Sequence, residues 1–156
     1  MEDRHRMKNL FDSANVAEIR ARIGALTPAS RPLWGKMGPA QAMAHVAMSF
    51  ELALGERRPP RMMVGRVIGA IIKPKALGND DPMFKNSPTV PGLVVQDSRD
   101  FDTERARLRE LLDRFVEGGP AACTSHPHAF FGALTPNEWA ILMYKHTDHH
   151  LRQFGA

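Results

Sequence analysis

The chain has little of several things that would place it in a specialised class. It contains one cysteine in 156 residues, Cys123, which excludes an intramolecular disulfide framework and is typical of a reducing compartment. Its longest apolar run, over residues 62–72, is too short to span a bilayer and contains Arg66. The first nine residues are polar and charged, so they lack the apolar core of a signal peptide. We therefore expect a cytoplasmic protein with no membrane partner.

Signals for nucleic-acid binding and for nucleophilic side-chain catalysis are also missing. The net charge of +4 is only mildly basic, and the two tryptophans and one tyrosine are not interleaved with basic residues. No Ser-His-Asp set is apparent by motif, and we interpret Cys123 as incidental rather than as a nucleophile. What remains is an ordinary globular composition, 43% hydrophobic and 24% charged. Its length predicts a single domain over 1–156.

Four stretches have the periodicity of long amphipathic helices. They lie at about 15–26, 39–54, 101–117 and 136–154. Asn15 with Glu18 is predicted to cap the first helix, and Thr135 with Glu138 the last. No strand pair is evident. The sequence therefore predicts an all-α fold, and specifically a four-helix bundle.

Residues 55–100 interrupt this pattern between the second and third long helices. They hold six of the twelve prolines. We interpret 62–72 as a short buried helix and 76–100 as a long irregular excursion, which is functional or mobile in most compact domains. Basic residues flank the short helix, and we interpret them as a solvated face, with attraction of an anionic thiol or acid as the alternative. They are Arg57, Arg58, Arg61, Lys73 and Lys75.

The last predicted helix carries the pattern with the most chemical content. Spacings of four, three, four and three positions mark one helical face, formed by Trp139, Met143, His146, His150 and Gln153. This face is expected to be buried, and imidazoles at positions i and i+4 can point at a common atom. Burial keeps imidazole neutral, and neutral imidazole is a common metal ligand. The alternative is a pair of separately hydrogen-bonded core histidines.

A third candidate ligand, His45, lies among apolar residues of the second predicted helix. Alone it would be interpreted as a core histidine. Helix bundles, however, build metal sites from inward side chains of facing helices. His45 with His146 and His150 would supply three nitrogen ligands and leave a divalent metal with open positions, which is typical of catalytic sites.

The arrangement resembles the DinB-like superfamily, also called YfiT-like, over nearly the whole chain. The strings that carry the resemblance are WGKM at 34–37, HAFFG at 128–132, LTPNEW at 134–139 and KHTDHHLRQFG at 145–155. They are closest to one uncharacterised branch. The resemblance implies a four-helix bundle whose metal is held by His45 of the second helix and the His146–His150 pair of the last.

Three other residues near these motifs have open roles. In the branch a proline commonly follows the histidine of the HxFFG motif, whereas Ala129 stands here, so either His126 or His128 could have a local role. His149 is off the stripe and is interpreted as a residue at the rim of the site. Asp148 is expected to be solvated, with orientation of a ligand histidine as the alternative.

Two classes of function follow. The resemblance implies a metal-dependent enzyme in which zinc or nickel activates a thiol or water, with a low-molecular-weight thiol such as mycothiol or bacillithiol as cofactor. The alternative is a non-catalytic, metal-stabilised homodimer that acts as a binding or stress-response module, with 62–72 as its dimer surface. The sequence names no substrate.

Overall fold

The computed structural model describes residues 6–87 and 89–156, and its regular secondary structure over these residues is helical. Its α-helices are α1 (Ser13–Ala25), α2 (Pro39–Ala53), α3 (Met63–Leu77), α4 (Phe101–Gly118) and α5 (Pro136–Gln153). Two short 3₁₀ turns lie between the helices, Pro91–Leu93 between α3 and α4 and Gly119–Ala122 between α4 and α5. Over the described residues no strand forms, and one isolated bridge joins His128 and Gly132. The expected all-α class is confirmed for this part of the chain.

The ends of α2, α4 and α5 lie within one residue of their predicted positions. The predicted capping box of α5 is present: Thr135 Oγ1 accepts from the Glu138 amide and Glu138 Oε1 accepts from the Thr135 amide, each at 3.1 Å. The predicted capping box of α1 is wrong. Asp12 caps that helix by accepting from the Ala14 amide at 2.9 Å, and Asn15 lies inside the first turn. Asp12 is an equally good cap three residues earlier in the same periodic stretch.

The core is built around α2 and α5. The mostly apolar α2 is buried along most of its length, as its composition predicts, and it contacts both α4 and α5. Helix α1 contacts α5 and α4. The largest fully buried side chains are Trp139, Phe50 and Phe115, and burial of such side chains stabilises the fold by about 1.5–3 kcal/mol each. This packing sets the inward faces of α2 and α5 opposite each other.

Helix α3 differs from its prediction in length and in burial. The expected short buried helix over 62–72 is a helix of 15 residues, and most of its apolar side chains face outward, although Leu77 is buried. Met63, Val67 and Ile71 are 76%, 73% and 65% exposed, while its buried residues include Gly65 and Gly69. A Cβ added at either glycine would overlap the Phe130 carbonyl oxygen. Because only glycine allows this close approach, the glycine side of α3 packs inward and the aliphatic side is left outside.

The rest of the predicted excursion is irregular, as expected. Between α3 and α4 the described residues form one 3₁₀ turn, Pro91–Leu93, and no other regular element. Leu93 and Val95 are buried and belong to the core. None of the described helices combines the length and the apolar character that a membrane crossing requires.

Candidate metal centre

Three imidazoles from α2 and α5 lie together. His45 comes from α2, and His146 and His150 lie one turn apart on α5. One potential ligand atom from each histidine lies within 4.8 Å of the other two, and the three ring centroids are separated by 4.7–4.9 Å. His45 is buried, whereas His146 and His150 are partly buried. The structure thus brings together the three histidines that the sequence singled out.

His45 is oriented by the chain segment that follows α3. Its Nδ1 lies 2.8 Å from the Leu93 carbonyl oxygen. A carbonyl oxygen can only accept hydrogen bonds, so Nδ1 carries the ring proton and is the donor of this hydrogen bond. The Nε2 of His45 is therefore an unprotonated acceptor, and it faces His146 Nε2 at 3.0 Å.

His150 is oriented through Gln153, one turn further along α5. The Gln153 side-chain nitrogen donates to the Trp34 carbonyl at 2.9 Å, which fixes the orientation of the amide. The Oε1 of Gln153 then lies 2.9 Å from His150 Nδ1 and accepts a hydrogen bond from the N–H there. This places the Nε2 lone pair of His150 on the inner side of the cluster.

His146 is paired with Ser49, which lies one turn after His45 on α2. Ser49 Oγ is 2.9 Å from His146 Nδ1 and 2.7 Å from the Val46 carbonyl. When the hydroxyl donates to Val46, it accepts from His146 Nδ1–H, and all three Nε2 lone pairs face one another. When it donates to His146 instead, His146 carries its proton on Nε2 and donates to His45. One hydroxyl rotation therefore allows both tautomers of His146.

The surroundings keep these rings neutral. Burial lowers the pKa of His150 to about 3, with a smaller effect from His45. Burial also lowers the pKa of His146 well below its usual value, and the nearby His150 adds to the effect. The pKa of His45 is lowered by burial, partly opposed by its hydrogen bond to Leu93. All three are therefore neutral near pH 7, the form in which imidazole binds metal.

The donor set fits a divalent metal of the zinc or nickel type. Imidazole nitrogen suits both ions, and Zn–N bonds of about 2.0–2.1 Å hold nitrogens about 3.3 Å apart in a tetrahedral site. The His45–His146 separation of 3.0 Å is already close to that value. Each ring also has its outer nitrogen hydrogen-bonded, as metal-binding histidines do.

The neighbours of the cluster depart from their predicted roles in one case. His149 lies at the rim as expected, with its ring edge-on to Trp34 at 5.6 Å between centroids. Asp148, expected to be solvated, is buried. Its oxygens accept from Arg22 Nη1 and Arg152 Nε, each at 2.8 Å, which leaves it no role in orienting a ligand histidine. The prediction that Asp148 is solvated is wrong because Arg22 of α1 contacts Asp148 on α5.

His126 and His128 lie outside the cluster and organise the loop before α5. The Nε2 of His126 donates to the Pro59 carbonyl at 3.0 Å. The Nδ1 of His128 accepts from the amides of Phe130 and Phe131, each at 3.1 Å. Both histidines therefore have local structural contacts.

Burial raises the pKa of Cys123 to about 11, so its thiol stays protonated near neutral pH, as its predicted incidental role requires.

The basic residues around α3 are largely committed to structural contacts. Lys73 pairs with Glu138 at 2.9 Å, and Arg61 donates to the carbonyls of Ala129 and Phe130. Arg57 pairs with Glu51.

Two residues that orient the histidines, Ser49 and Leu93, were not predicted from the sequence. Ser49 stands four positions after His45, a spacing that could have indicated it, whereas the Leu93 contact is made by a backbone carbonyl that no side-chain pattern reveals.

The chain matches the model of one protein family over nearly its whole length. No curated protein and no solved structure matches the chain. A family model described as "Protein of unknown function (DUF1569)" matches residues 6–156, which is nearly the whole chain. The match includes α2 and α5 and therefore all three histidines of the cluster. The chain belongs to the DUF1569 family.

Proposed function

We propose that the protein is a cytoplasmic, metal-dependent enzyme in which His45, His146 and His150 hold a divalent metal, zinc or nickel. The observation that carries the proposal is the convergence of the three rings: one potential ligand nitrogen of each lies within 4.8 Å of the other two, and each Nδ1 is hydrogen-bonded to a partner outside the cluster. When His146 carries its proton on Nδ1, its Nε2 and that of His45 are both acceptors at 3.0 Å and repel unless a cation lies between them. When His146 carries its proton on Nε2, that proton bridges the two rings instead. A bound metal would supply Lewis acidity that makes a thiol or water nucleophilic near neutral pH.

The DinB-like resemblance supports the same proposal at the level of the fold. In this interpretation α1, α2, α4 and α5 form the four-helix bundle, and α3 is an insertion. The known contacts agree with such an arrangement, since α2 contacts α4 and α5, and α1 contacts α4 and α5. A low-molecular-weight thiol is the proposed cofactor, and the reaction class is thiol-dependent transfer or hydrolysis.

The chain's own residues have definite tasks in this proposal. Leu93 and Gln153 orient His45 and His150 and fix their tautomers, and Ser49 orients His146. Ser49 also gives His146 a way to exchange the Nε2 proton for a metal bond without a change in charge, because the proton moves to Nδ1. His146 and His150 are not sealed from solvent, so ligand access remains.

The segment between α3 and α4 is the proposed cover of the site. Leu93 contacts His45, and Lys85 Nζ lies 4.3 Å from the centre of the Trp34 ring beside His149. Loops held against a rigid scaffold commonly carry specificity. Residues of this segment would therefore select the substrate.

Metal analysis tests the proposal. Protein produced without an affinity tag should contain about one zinc or nickel ion per chain, measured by mass spectrometry of the metal content. His146→Ala should lose the metal. His126→Ala is the matched control, because it removes a histidine of the same chain outside the cluster, and it should retain the metal. Full metal content in His146→Ala would rule out the proposed ligand set.

Activity is the second part of the test. The metal-loaded protein should accelerate transfer of a low-molecular-weight thiol to an electrophilic acceptor, or hydrolysis of an ester or amide, in a panel of assays. His146→Ala should show neither, whereas His126→Ala should match the wild type. Metal binding without activity in such a panel favours the non-catalytic alternative.

That alternative is a metal-stabilised homodimer that acts as a binding or stress-response module. The exposed aliphatic side of α3, with Met63, Val67 and Ile71, favours it, because such patches commonly mark interaction surfaces. Sedimentation analysis should then give a dimer for the wild type and a monomer for Val67→Glu. Thr103→Glu on α4, an exposed position away from α3, is the control.

A further inference from the structure

Two adjoining cavities lie apart from the histidine cluster. The smaller, of about 10 Å³, is lined by residues that include Trp139 and His128. The larger, of about 320 Å³, is lined by residues that include Arg58 and Leu93. Both are bounded by Leu52, Arg57 and Pro59, so they meet at a common wall. His45, His146 and His150 line neither cavity, and the region borders the proposed metal site through Leu93, whose carbonyl accepts from His45 Nδ1.

One residue that lines the smaller cavity carries an unsatisfied donor. Trp139 is only 1% exposed, and its indole Nε1 has no hydrogen-bond partner among the described residues. A buried donor left unpaired costs about 1–3 kcal/mol. Because Trp139 lines the cavity, an acceptor atom placed there would remove that cost.

A second donor in the same lining is fixed by the backbone. His128 Nδ1 accepts from the amides of Phe130 and Phe131, so the ring proton must be on Nε2. Every side-chain hydrogen bond of His128 to a described residue involves Nδ1. Its ring lies beside that of Trp139, with 5.7 Å between centroids. Two residues that line one small space therefore each carry a ring N–H donor.

The size and charge of the two cavities define the ligand that would fit. A cavity of about 10 Å³ takes one water-sized atom, whereas the larger volume of about 320 Å³ is in the range of small-molecule sites. The larger cavity combines the apolar side chains of Leu52, Val90 and Leu93 with two guanidinium groups, those of Arg57 and Arg58.

The charge of these arginines is only partly balanced. Arg57 pairs with Glu51, which also pairs with Arg107, and Arg107 pairs in turn with Glu104, so the charge of Arg57 is balanced within this group. Arg58 donates through Nε to the Gly55 carbonyl, which carries no net charge. The cavities therefore offer two ring donors, an apolar wall and excess positive charge.

We propose that the two cavities together bind a small organic acid with an apolar chain. One carboxylate oxygen would occupy the smaller cavity and accept from Trp139 Nε1 and His128 Nε2. The apolar chain would lie in the larger cavity, and the arginines would balance the charge. Binding needs no metal, so this inference is independent of the proposed enzymatic function.

The two tryptophans of the chain, Trp34 and Trp139, allow a direct test. A proton–nitrogen correlation spectrum shows two indole N–H signals, and Trp139→Phe identifies the one from Trp139. Titration of the metal-free protein with hexanoate should move the Trp139 proton signal downfield in a saturable manner. The Trp34 signal, which reports on the neighbourhood of the histidine cluster, should not move. A Trp139 signal that does not respond overturns the proposal.

The neutral analogue hexanamide separates the carboxylate from the apolar chain. Its affinity should be at least about tenfold weaker, because hydrogen bonds to an ionised acceptor are roughly twice as strong as neutral ones. Equal affinities for hexanoate and hexanamide would show that charge is not recognised and would overturn the proposal.

Charge variants complete the experiment. Arg58→Gln should weaken hexanoate binding about threefold or more, the effect of removing one partly exposed ion pair. Lys75→Gln, an exposed cation on α3 outside both cavities, should leave it unchanged. Equal weakening by both variants would show a general charge effect and contradict a built site. Metal content is measured separately, so either proposal can fail without the other.

Discussion

Single hydrogen bonds decide what the three imidazoles can do. Each Nδ1 has one partner, and these partners are the Leu93 carbonyl, the Ser49 hydroxyl and the Gln153 amide. None of the partners is charged, and burial keeps the rings neutral, so each ring keeps its Nε2 on the side away from these partners. The side chains that fix ring orientation around a metal commonly matter nearly as much as the ligands.

Ser49→Ala should therefore weaken metal binding without removing a ligand. We expect the zinc affinity to fall about 10- to 100-fold, because His146 loses the hydroxyl that contacts its Nδ1 and orients the ring. Competition against a chelator of known affinity measures the effect. Ser87→Ala, at an exposed serine that contacts the Phe84 carbonyl, is the matched control and should bind as the wild type does. An unchanged affinity in Ser49→Ala would mean that the hydroxyl does not orient His146.

The lowered pKa values predict how stability depends on pH. In the unfolded chain a histidine has a pKa of about 6.5, whereas burial lowers the pKa of His150 to about 3 and also lowers that of His146. Below pH 6.5 the unfolded state therefore binds more protons than the folded state. Stability should be highest above that pH and fall as the pH decreases, by up to about 1.4 kcal/mol per unit for each such histidine.

Urea denaturation of the metal-free protein between about pH 7.5 and 4.5 measures this dependence. His150→Gln should reduce the slope, because it removes one of the groups that must take up a proton on unfolding. Ser87→Ala, which removes no titratable group, should keep the wild-type slope. A stability that rises towards low pH would contradict the assignment of buried, neutral imidazoles.

Among the helices, α3 shows how a close backbone contact orients an element. Gly65 and Gly69 bring its axis against the turn at Phe130, and Lys73 pairs with Glu138. Lys145 Nζ donates to the carbonyls of Ala76 and Asn79, at 2.6 and 3.0 Å, and so holds the end of α3 and the residues just after it. These contacts explain why an amphipathic helix turns its aliphatic side outward.

Gly69→Ala should force α3 away from the turn. The added methyl group overlaps a backbone carbonyl, which cannot move as a flexible side chain does, so we expect a loss of about 1–3 kcal/mol in the free energy of unfolding. Gly92→Ala is the control, since a Cβ there meets nothing within 4 Å. Chemical denaturation measures both. Equal stability of Gly69→Ala and the wild type would contradict the close approach.

The molecule as a whole owes its stability to apolar packing rather than to the histidine cluster. The buried apolar residues form a core cluster that includes side chains of all five α-helices. A chain of this length buries enough surface to fold without a metal. The metal, if bound, is then available for ligand binding or catalysis.

His146→Ala should accordingly remain folded. We expect its melting temperature to lie within about 5 °C of the wild type without metal, since a loss of 1 kcal/mol shifts a domain of this size by about 2–4 °C. Added zinc should raise the melting temperature of the wild type but not of the variant. Collapse of the fold in His146→Ala would instead indicate a structural metal, as in small domains that unfold without zinc.

Local signals in the sequence determined the helical content and the composition of the site. Periodicity together with Thr135, Pro136 and Glu138 placed the start of α5, because capping depends on residues a few positions apart. The same periodicity put His146 and His150 on one face. Capping and the shared face depend on interactions within one turn of a helix, which the sequence displays directly. His45, which alone would be interpreted as a core histidine, was included because helix bundles build metal sites from inward side chains of facing helices.

Contacts between distant segments decided the rest. Asp148 is buried because Arg22, 126 positions earlier, meets it, and His45 is oriented by a carbonyl 48 positions later. The outward turn of α3 depends on the backbone at Phe130, which no hydrophobic pattern within 62–72 reveals. A periodic pattern shows that a helix has two faces, but packing against the other helices and loops determines which face is buried and which polar groups are paired.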